Sequence, residues 1–442
     1  MVRTDAAVKV PGDKQPAIFG IEVRKAANGG HAQLVGLSRE KSRVGMSADA
    51  ARKSACATMP AAEATRELQS GQGIRMATLA AKLARQTAPA ELWRPLDRNR
   101  VECFACGHRC PIPPGFAGVC KVRFNRDGTL YAPTGYVNAV FCDPIEKKPF
   151  FHALPGARAL SFGMLGCDLH CGYCQNWVSS QALRDFRSTL DFERVRPAEL
   201  VEMAVRQGAA AVISTYNEPL ITAEWGVAVF REAKGAGLTT GFVSNGNATP
   251  EVLEYIRPWV DLYKVDLKSF DDRRYHELGG RLAPILDSIG RIHQMGFWLE
   301  VVTLVIPGFN DSEAELGAMA EFLAGISRDI PWHVTAFHGD YKMTGPAHTP
   351  AETLLRAAEI GSAAGLRYVY AGNLPGSTGN LEDTRCPSCA QTLIARRGFQ
   401  VLRNRLSAAG ECPGCGAPIP GRWGPPLRQQ TPTGGLLHIR CG

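Results

Sequence analysis

Residues 159 to 373 alternate short apolar runs with amphipathic segments, and this alternation restricts the fold more than any other feature of the chain. Apolar runs of this length suit strands that helices bury on both faces. The runs are ALSFGMLG, AAVISTYN, TTGFVSN, LYKVDLK, WLEVVTLVIP, HVTAFH and YVYAGN. The amphipathic segments lie near residues 198–207, 222–236, 250–257, 282–295, 312–326 and 350–364. The pattern predicts right-handed βαβ units that form a parallel barrel or an open parallel sheet.

A three-cysteine motif, GCDLHCGYCQNW, directly follows the first apolar run and contains Cys167, Cys171 and Cys174. In a parallel α/β fold this position is at the carboxyl ends of the strands, where active sites form. Three thiolates leave one iron of a [4Fe-4S] cluster open, whereas a structural zinc site closes with four ligands. His170 could complete a Cys3His zinc site, which is the main alternative. The cluster is favoured because the motif follows a βα strand instead of forming a separate knuckle.

The spacing Cys-x3-Cys-x-aromatic-Cys, with Tyr173 as the aromatic residue, resembles the signature of the radical S-adenosylmethionine (SAM) superfamily. The resemblance implies a partial parallel (β/α)6 barrel with a [4Fe-4S] cluster and SAM as cofactors. It also implies that the open iron binds the amino and carboxylate groups of SAM. One electron then cleaves SAM to methionine and a 5′-deoxyadenosyl radical that abstracts hydrogen. The protein supplies geometry and excludes water.

Polar residues end the second and third strands, where SAM is expected to bind. Asn217 and Glu218 lie in Tyr-Asn-Glu-Pro, which resembles the Gly-Gly-Glu-Pro segment of radical SAM activases but has Tyr-Asn for Gly-Gly. The family binds the SAM amino group there. Ser244 and Asn245 precede Gly246, and short polar side chains beside a glycine suit close approach to a ribose.

Two opposite charges, Asp266 and Lys268, share one face of the fourth strand because they are two residues apart. Such charges on an apolar strand must be paired or bound to a ligand. The resemblance to activases assigns Lys268 to the SAM carboxylate, and a mutual ion pair is the alternative. His338 follows the sixth strand at a position that resembles a ribose contact of those activases, with an ordinary loop histidine as the alternative.

Two further cysteine groups flank the α/β region. The first has four thiols within eighteen residues among Pro and Gly, and they could hold zinc, which is slightly favoured, or a second cluster. The second has two Cys-x2-Cys pairs, which predict a closed zinc site, with a rubredoxin-like iron site as the alternative. The expected ligands are Cys103, Cys106, Cys110 and Cys120 in the first group, and Cys386, Cys389, Cys412 and Cys415 in the second.

The composition limits which class of protein the chain can belong to and which cellular compartment suits it. Residues 1–100 hold 17 Lys+Arg against 9 Asp+Glu, whereas the rest of the chain holds 33 of each, so composition does not predict a basic groove. An uninterrupted apolar run of about 18 residues, which a membrane span requires, is absent from the sequence. Eleven of the 14 cysteines fall in the three groups, which favours a reducing cytoplasm; Cys56, Cys142 and Cys441 are interpreted as plain thiols.

The expected organisation has four parts. A poorly ordered leader occupies residues 1–75, with a transit peptide or a start codon placed too far upstream, before Met76, as alternatives. A Cys-rich metal-binding lobe at 95–150 includes a hairpin at 128–131 and a polar link at 143–149. The radical SAM core follows at 151–375. A zinc-ribbon-like module at 382–425 includes the strand-like segment LIARRGFQVL.

A wider resemblance covers about residues 95–420, through segments such as CFACGHRC, DPIEKKPFFH, VIPGFND and HVTAFHGDYKM. These segments resemble the radical SAM protein of the AmmeMemoRadiSam system, which is pyruvate formate-lyase activating enzyme-like. The resemblance implies AMMECR1-type and Memo-type proteins as partners, with a flavodoxin or ferredoxin as electron donor.

Three functions follow from these features. The favoured one is SAM cleavage for modification of a protein or another macromolecule, with RNA ranked below protein even though the segment after Arg385 is basic. A glycyl-radical-enzyme activase is a narrower alternative. A zinc-bearing scaffold or nucleic-acid-binding protein, in which the cluster is only structural, is an alternative of another class.

Overall fold

The computed structural model describes residues 79–188, 190–424 and 435–436. These residues belong to one compact unit, Thr58–Gly442. The predicted leader, Cys56 and Cys441 lie outside the described residues. Within the part of the chain that is described, no helix combines the length and apolar character needed to cross a membrane.

Two small antiparallel sheets form the N-terminal lobe. The buried side chain of Asn125 joins them, because its Nδ2 atom donates to the carbonyl oxygens of Asn99 at 2.7 Å and Ile112 at 2.8 Å. One sheet has the order β1-β6-β5 and the other β2-β3-β4. The strands are β1 (Thr87–Pro89), β2 (Trp93–Pro95), β3 (Val101–Cys103), β4 (Pro111–Ile112), β5 (Phe124–Arg126) and β6 (Thr129–Pro133). The hairpin predicted at 128–131 is formed by β5 and β6.

The central sheet contains all seven predicted parallel strands. β7 (Tyr136–Val137) pairs outside it with β10 (Glu193–Arg194). The sheet begins with β8 (Ala139–Pro144), which is antiparallel to β9. The parallel strands are β9 (Arg158–Gly163), β11 (Ala211–Ser214), β12 (Thr239–Ser244), β13 (Leu262–Asp266), β14 (Trp298–Val305), β15 (Trp332–Ala336) and β16 (Val369–Gly372). The predicted parallel α/β fold is confirmed.

Six of the helices described between these strands begin and end within about one residue of the predicted segments. Each of the six buries apolar residues at helical spacing, as Leu282–Gln294 does with Ile285, Ile289 and Ile292. Side chains of Thr249 and Ser312 cap two of the N-termini. The helices are α1 (Trp177–Ser180), α2 (Pro197–Arg206), α3 (Ala223–Gly235), α4 (Pro250–Ile256), α5 (Asp272–Glu277), α6 (Leu282–Gln294), α7 (Glu313–Ile326) and α8 (Ala351–Ala363). The sequence did not predict the short α1 and α5.

The segment predicted as a polar link, 143–149, is buried. Asp143 lies in β8, a short 3-10 helix covers Ile145–Lys147, and Lys148 Nζ lies 3.1 Å from Asp143 Oδ2. Burial of these charges is tolerated because each has a partner. The segment also contacts the loop after β11, because Lys148 Nζ donates to Tyr216 Oη at 2.8 Å.

The C-terminal module packs against the amino ends of the parallel strands. It contains β17 (Thr384–Arg385), β18 (Thr392–Arg397) and β19 (Gln400–Asn404), and β20 (Gly435–Leu436) pairs with β8. The segment LIARRGFQVL was predicted as one strand, but it is a hairpin, because Gly398 takes a positive φ of 59° and turns the chain. Buried Arg396 reaches 3.5 Å from Glu146, so it is not part of a basic surface.

Candidate active site

Cys167, Cys171 and Cys174 lie in the loop that follows β9, at the carboxyl ends of the parallel strands. Cys171 is buried and the other two are half-buried. The backbone N–H of Leu169 donates to Cys167 Sγ at 3.4 Å, and Ser180 Oγ of α1 lies 3.2 Å from Cys174 Sγ. The Leu169 N–H bond favours the Cys167 thiolate, but burial outweighs it and raises the pKa of the Cys167 thiol above its ordinary value.

His170 packs against the segment that follows α5, and its backbone N–H donates to Leu278 O at 2.9 Å. Its ring is exposed and lies against Gly279, where a Cβ atom would come within 2.2 Å of His170 Cε1. Within residues 79–188 and 190–424, His170 joins no group of three ligand atoms that lie within 4.8 Å of one another. The geometry therefore does not support the Cys3His zinc site that the sequence left open.

An apolar shell surrounds Cys171. Burial raises the pKa of the Cys171 thiol to about 11, although the nearby Lys268 ammonium opposes this. Tyr173 packs edge-on against Phe309, with ring centroids 5.8 Å apart. The shell excludes water from the loop, and its residues are Leu169, Tyr173, Leu278, Ile306, Phe309 and Phe337.

Lys264, Asp266 and Lys268 form a charged row at the end of β13. Lys268 Nζ lies 3.5 Å from Asp266 Oδ2, and Lys264 forms an ion pair with Asp266 Oδ1. Burial acts to raise the pKa of Asp266, but the two ammonium groups outweigh it and hold this pKa below its ordinary value. The row carries two positive charges and one negative charge, which suits an added carboxylate. The sequence prediction omitted Lys264, although its two-residue spacing from Asp266 was the signal.

Glu218 joins the ends of β11 and β12. Its buried carboxylate accepts hydrogen bonds from Ser244 Oγ and from the backbone N–H of Asn245, both at 2.7 Å, and from Leu220 N–H at 3.1 Å. Burial, and then the nearby Asp168, raise the pKa of Glu218 to about 8. The structure therefore uses three predicted cofactor-binding residues, Glu218, Ser244 and Asn245, to hold two loops together.

The Tyr-Asn pair that replaces Gly-Gly keeps a glycine-like backbone. Tyr216 has a φ of 69°, which is uncommon for a bulky residue. Gly163 of β9 provides the space, since a Cβ atom there would lie 2.9 Å from Tyr216 Cβ. Asn217 Oδ1 accepts from Met164 N–H at 3.0 Å. The Tyr-Asn pair therefore still adopts the positive-φ backbone conformation that a glycine would allow at this position.

Asp168 is a site residue that the sequence prediction omitted. Its buried carboxylate accepts hydrogen bonds from Asn245 Nδ2 at 2.7 Å and Asn247 Nδ2 at 2.8 Å. In the sequence, the only indication of a role for Asp168 was that it directly follows Cys167 in the three-cysteine motif. His338, which was predicted, is half-buried, and its Nε2 atom lies 2.8 Å from Nε2 of Gln175, the residue after Cys174.

The two flanking cysteine groups lie at opposite ends of the strands. Near the amino ends, Cys386 and Cys415 have sulfurs 3.6 Å apart, as do Cys389 and Cys412. A tetrahedral zinc ion with bonds of about 2.3 Å separates its thiolates by about 3.8 Å, so this group can hold one metal ion. At the carboxyl ends, the first group is buried beside the Cys167 loop, and its members are Cys103, Cys106, Cys110 and Cys120.

Comparison with known proteins finds relatives of this chain. The chain is 35% identical over 334 residues to an uncharacterized protein of Methanocaldococcus jannaschii, covering 75% of this chain and 98% of that protein. It is 33% identical over 137 residues to the benzylsuccinate synthase activating enzyme of Thauera aromatica, covering 28% of this chain and 41% of that enzyme.

One solved structure similar to this chain is a domain of a pyruvate-formate lyase-activating enzyme from Bacteroides vulgatus. It is 21% identical with a TM-score of 0.34, and the match covers 37% of this chain and 98% of that domain. A family model described as the radical SAM superfamily matches residues 163–320, which include the three-cysteine loop. The chain is therefore an enzyme that belongs to the radical SAM superfamily.

Proposed function

We propose that this enzyme cleaves SAM reductively at a [4Fe-4S] cluster held by Cys167, Cys171 and Cys174. The observation that carries the proposal is the convergence of these three thiols with the positive charge of Lys268 at the carboxyl ends of the strands. The donor set fits a cluster because three thiols in an apolar shell, with no fourth ligand grouped with them among the described residues, leave one iron open. When bound, the cluster supplies the electron that breaks the C5′–S bond of SAM.

The protein's own residues bind and orient SAM in this proposal. Lys268 pairs with the SAM carboxylate, while the ammonium group of Lys264 balances the negative charge of Asp266. The backbone at Tyr216 and Asn217 contacts the SAM amino group. Ser244 and Asn245, fixed by Glu218, face the ribose. His338 lies at the same edge of the barrel, beside the three-cysteine loop.

Formation of 5′-deoxyadenosine tests this function. Anaerobically reconstituted enzyme with SAM and dithionite is expected to give 5′-deoxyadenosine and methionine in equal amounts. The Cys171→Ala variant should give neither product. Cys415→Ser is the matched control, because it alters a cysteine near the opposite ends of the strands and should keep the activity. Absence of 5′-deoxyadenosine from the wild-type enzyme would refute the proposal.

We further propose a protein substrate, with AMMECR1-type and Memo-type proteins of an AmmeMemoRadiSam system as candidate partners and a flavodoxin or ferredoxin as the electron donor. The N-terminal lobe supports a macromolecular substrate because it adds surface beside the site, through the hydrogen bond from Gly107 N–H to Asn247 O at 2.8 Å. A deuterated partner protein should transfer deuterium to 5′-deoxyadenosine, which increases its mass by about one unit because the radical abstracts one hydrogen. Unlabelled product with each partner would exclude these partners.

A second candidate is activation of a glycyl-radical enzyme. The similarity to the benzylsuccinate synthase activating enzyme favours it, although the match spans less than half of that relative. Incubation with a glycyl-radical enzyme, SAM and reductant should then give a doublet signal in electron paramagnetic resonance (EPR). If 5′-deoxyadenosine forms without that doublet, SAM cleavage is retained and this second candidate is rejected.

A further inference from the structure

The three cysteine groups of the chain differ in how closely their sulfurs approach one another. Among the described residues, only the C-terminal group brings three or more ligand atoms within 4.8 Å of one another. A single tetrahedral ion requires thiolates about 3.8 Å apart. The three-cysteine loop and the N-terminal group, Cys103, Cys106, Cys110 and Cys120, do not form such a compact set. The N-terminal group thus resembles the proposed cluster site and differs from the single-ion site.

The four N-terminal thiols are nevertheless buried neighbours. All four side chains are buried, with 5% to 7% of their surface exposed. The backbone N–H of Cys103 donates to Cys110 O at 3.0 Å, which closes the loop that carries the first three. Four buried thiols within one short segment, without the spacing of one ion, suit a larger metal group, in which each cysteine binds a different iron.

Arg123 gives an independent indication of a bound group. Its guanidinium is buried and pairs with Glu224 at 2.7 Å, but its Nε–H has no partner among the described residues. Arg123 lies three residues after Cys120, in the segment that carries the last thiol of the group. A buried donor without a partner is costly, and cluster sulfurs accept hydrogen bonds.

The N-terminal group is also bonded to the three-cysteine loop. His108, between Cys106 and Cys110, has its Nε2 atom 3.1 Å from the carbonyl oxygen of Asp168. Gly107 packs so closely that a Cβ atom there would lie 2.2 Å from Asn247 Oδ1. Asn247 in turn binds the Asp168 carboxylate. A metal group in the N-terminal lobe would therefore lie next to the SAM-binding edge of the barrel.

We propose that Cys103, Cys106, Cys110 and Cys120 hold a second [4Fe-4S] cluster, and that the C-terminal cysteines hold zinc. This differs from the single zinc ion that cysteine spacing alone slightly favours. The inference concerns metal content, so it holds or fails independently of SAM cleavage. All four irons of the second cluster have a cysteine ligand, which makes it a closed redox centre.

Metal and sulfide analysis of the Cys167→Ala/Cys171→Ala/Cys174→Ala variant tests the inference. After anaerobic reconstitution, the variant should retain about four irons, about four sulfides and about one zinc per chain, while the wild-type enzyme holds about eight irons. The reduced variant should show an iron–sulfur EPR signal. A variant with one iron or none, and with two zinc ions, would overturn the proposal.

Two further variants locate the metals. Cys103→Ser/Cys120→Ser should lose about four of the eight irons and keep its zinc. Cys389→Ser/Cys415→Ser is the matched control, which should lose zinc and keep all its iron. If Cys103→Ser/Cys120→Ser fails to fold, as judged by circular dichroism, the triple alanine variant still decides, because its N-terminal group is unchanged. If wild-type enzyme holds about four irons and cleaves SAM, only the second cluster is refuted.

Discussion

Asn245 donates a hydrogen bond of 2.7 Å to the buried carboxylate of Asp168, the residue next to Cys167. This bond joins the loop after β9 to the loop after β12. Asn247 donates to the other carboxylate oxygen, and its own backbone holds Gly107 of the N-terminal lobe. Asp168 therefore connects three segments whose cysteines or polar groups are assigned to cofactors.

Replacement of Asp168 by asparagine should destabilise this connection. Asn245 Oδ1 already accepts from Asn247 N–H at 2.9 Å, so the Asn245 amide is fixed and a new amide nitrogen at position 168 would face a donor. We expect a loss of about 1 to 3 kcal/mol in the free energy of unfolding. Denaturant titration measures it. The control is Asp287→Asn, at an exposed pair with Arg291, and an equal loss there would contradict the argument.

Lys268→Met should weaken SAM binding because it removes the positive charge beside Cys171. Loss of a charged hydrogen bond corresponds to about 10- to 100-fold in the dissociation constant. Calorimetric titration of SAM into iron-loaded enzyme measures this change. The matched control is Lys234→Met, which breaks an ion pair with Asp261 away from the site and should leave SAM affinity unchanged. If Lys268→Met binds SAM as tightly as the wild-type enzyme does, Lys268 does not contact SAM and serves only in the ion pair with Asp266.

Gly107→Ala should loosen the N-terminal lobe. The added Cβ displaces the Asn247 side chain and breaks its bond to Asp168, with an expected loss of about 1 to 3 kcal/mol. Gly317→Ala in α7 is the control, because no atom lies within 4 Å of its added Cβ. Alanine in a helix is more stable than glycine, so this control should gain up to about 1 kcal/mol. Thermal and denaturant unfolding would show these opposite signs.

Acidification should weaken the attachment of the C-terminal module through His152. The buried imidazole has Nδ1 2.7 Å from Pro420 O and Nε2 2.6 Å from Tyr370 Oη, and burial lowers the pKa of His152 to about 4. Because the folded-state pKa lies below the unfolded value of about 6.5, the neutral form stabilises the fold. This contribution is complete above pH 6.5 and is lost as pH falls toward 4.

The loss attributable to His152 should be about 1 kcal/mol at pH 5.5 relative to pH 7.5. Unfolding free energies of wild-type enzyme and His152→Gln at both pH values give this contribution by difference. The variant should be less stable at pH 7.5 but should lack this part of the pH dependence. A variant that loses as much stability on acidification as the wild-type enzyme would show that other groups cause the effect.

Local periodicity allowed the strands and most helices to be predicted, since α6 and α7 match their predicted segments within one residue. Other features depend on contacts between distant residues. The pairing of Arg396 with Glu146 buries a residue of the basic C-terminal segment against one 250 positions earlier, which no local pattern indicates.

The three-cysteine motif marked the site, but the partners of its side chains required the fold. Glu218 was predicted as a cofactor-binding residue, which stays a prediction, and the structure adds that its carboxylate holds Ser244 and Asn245. Asp168 carries no recognisable spacing, and only the meeting of the loops after β9 and β12 gives it a role.

EPR of reduced, iron-loaded enzyme before and after addition of SAM tests most directly whether Cys167, Cys171 and Cys174 hold a cluster with an open iron. We expect that SAM shifts the spectrum, and that the shift is absent from the Cys167→Ala/Cys171→Ala/Cys174→Ala variant. A spectrum that is unchanged by saturating SAM, or a shift that persists in the triple variant, would contradict the assignment of the open iron to these three cysteines.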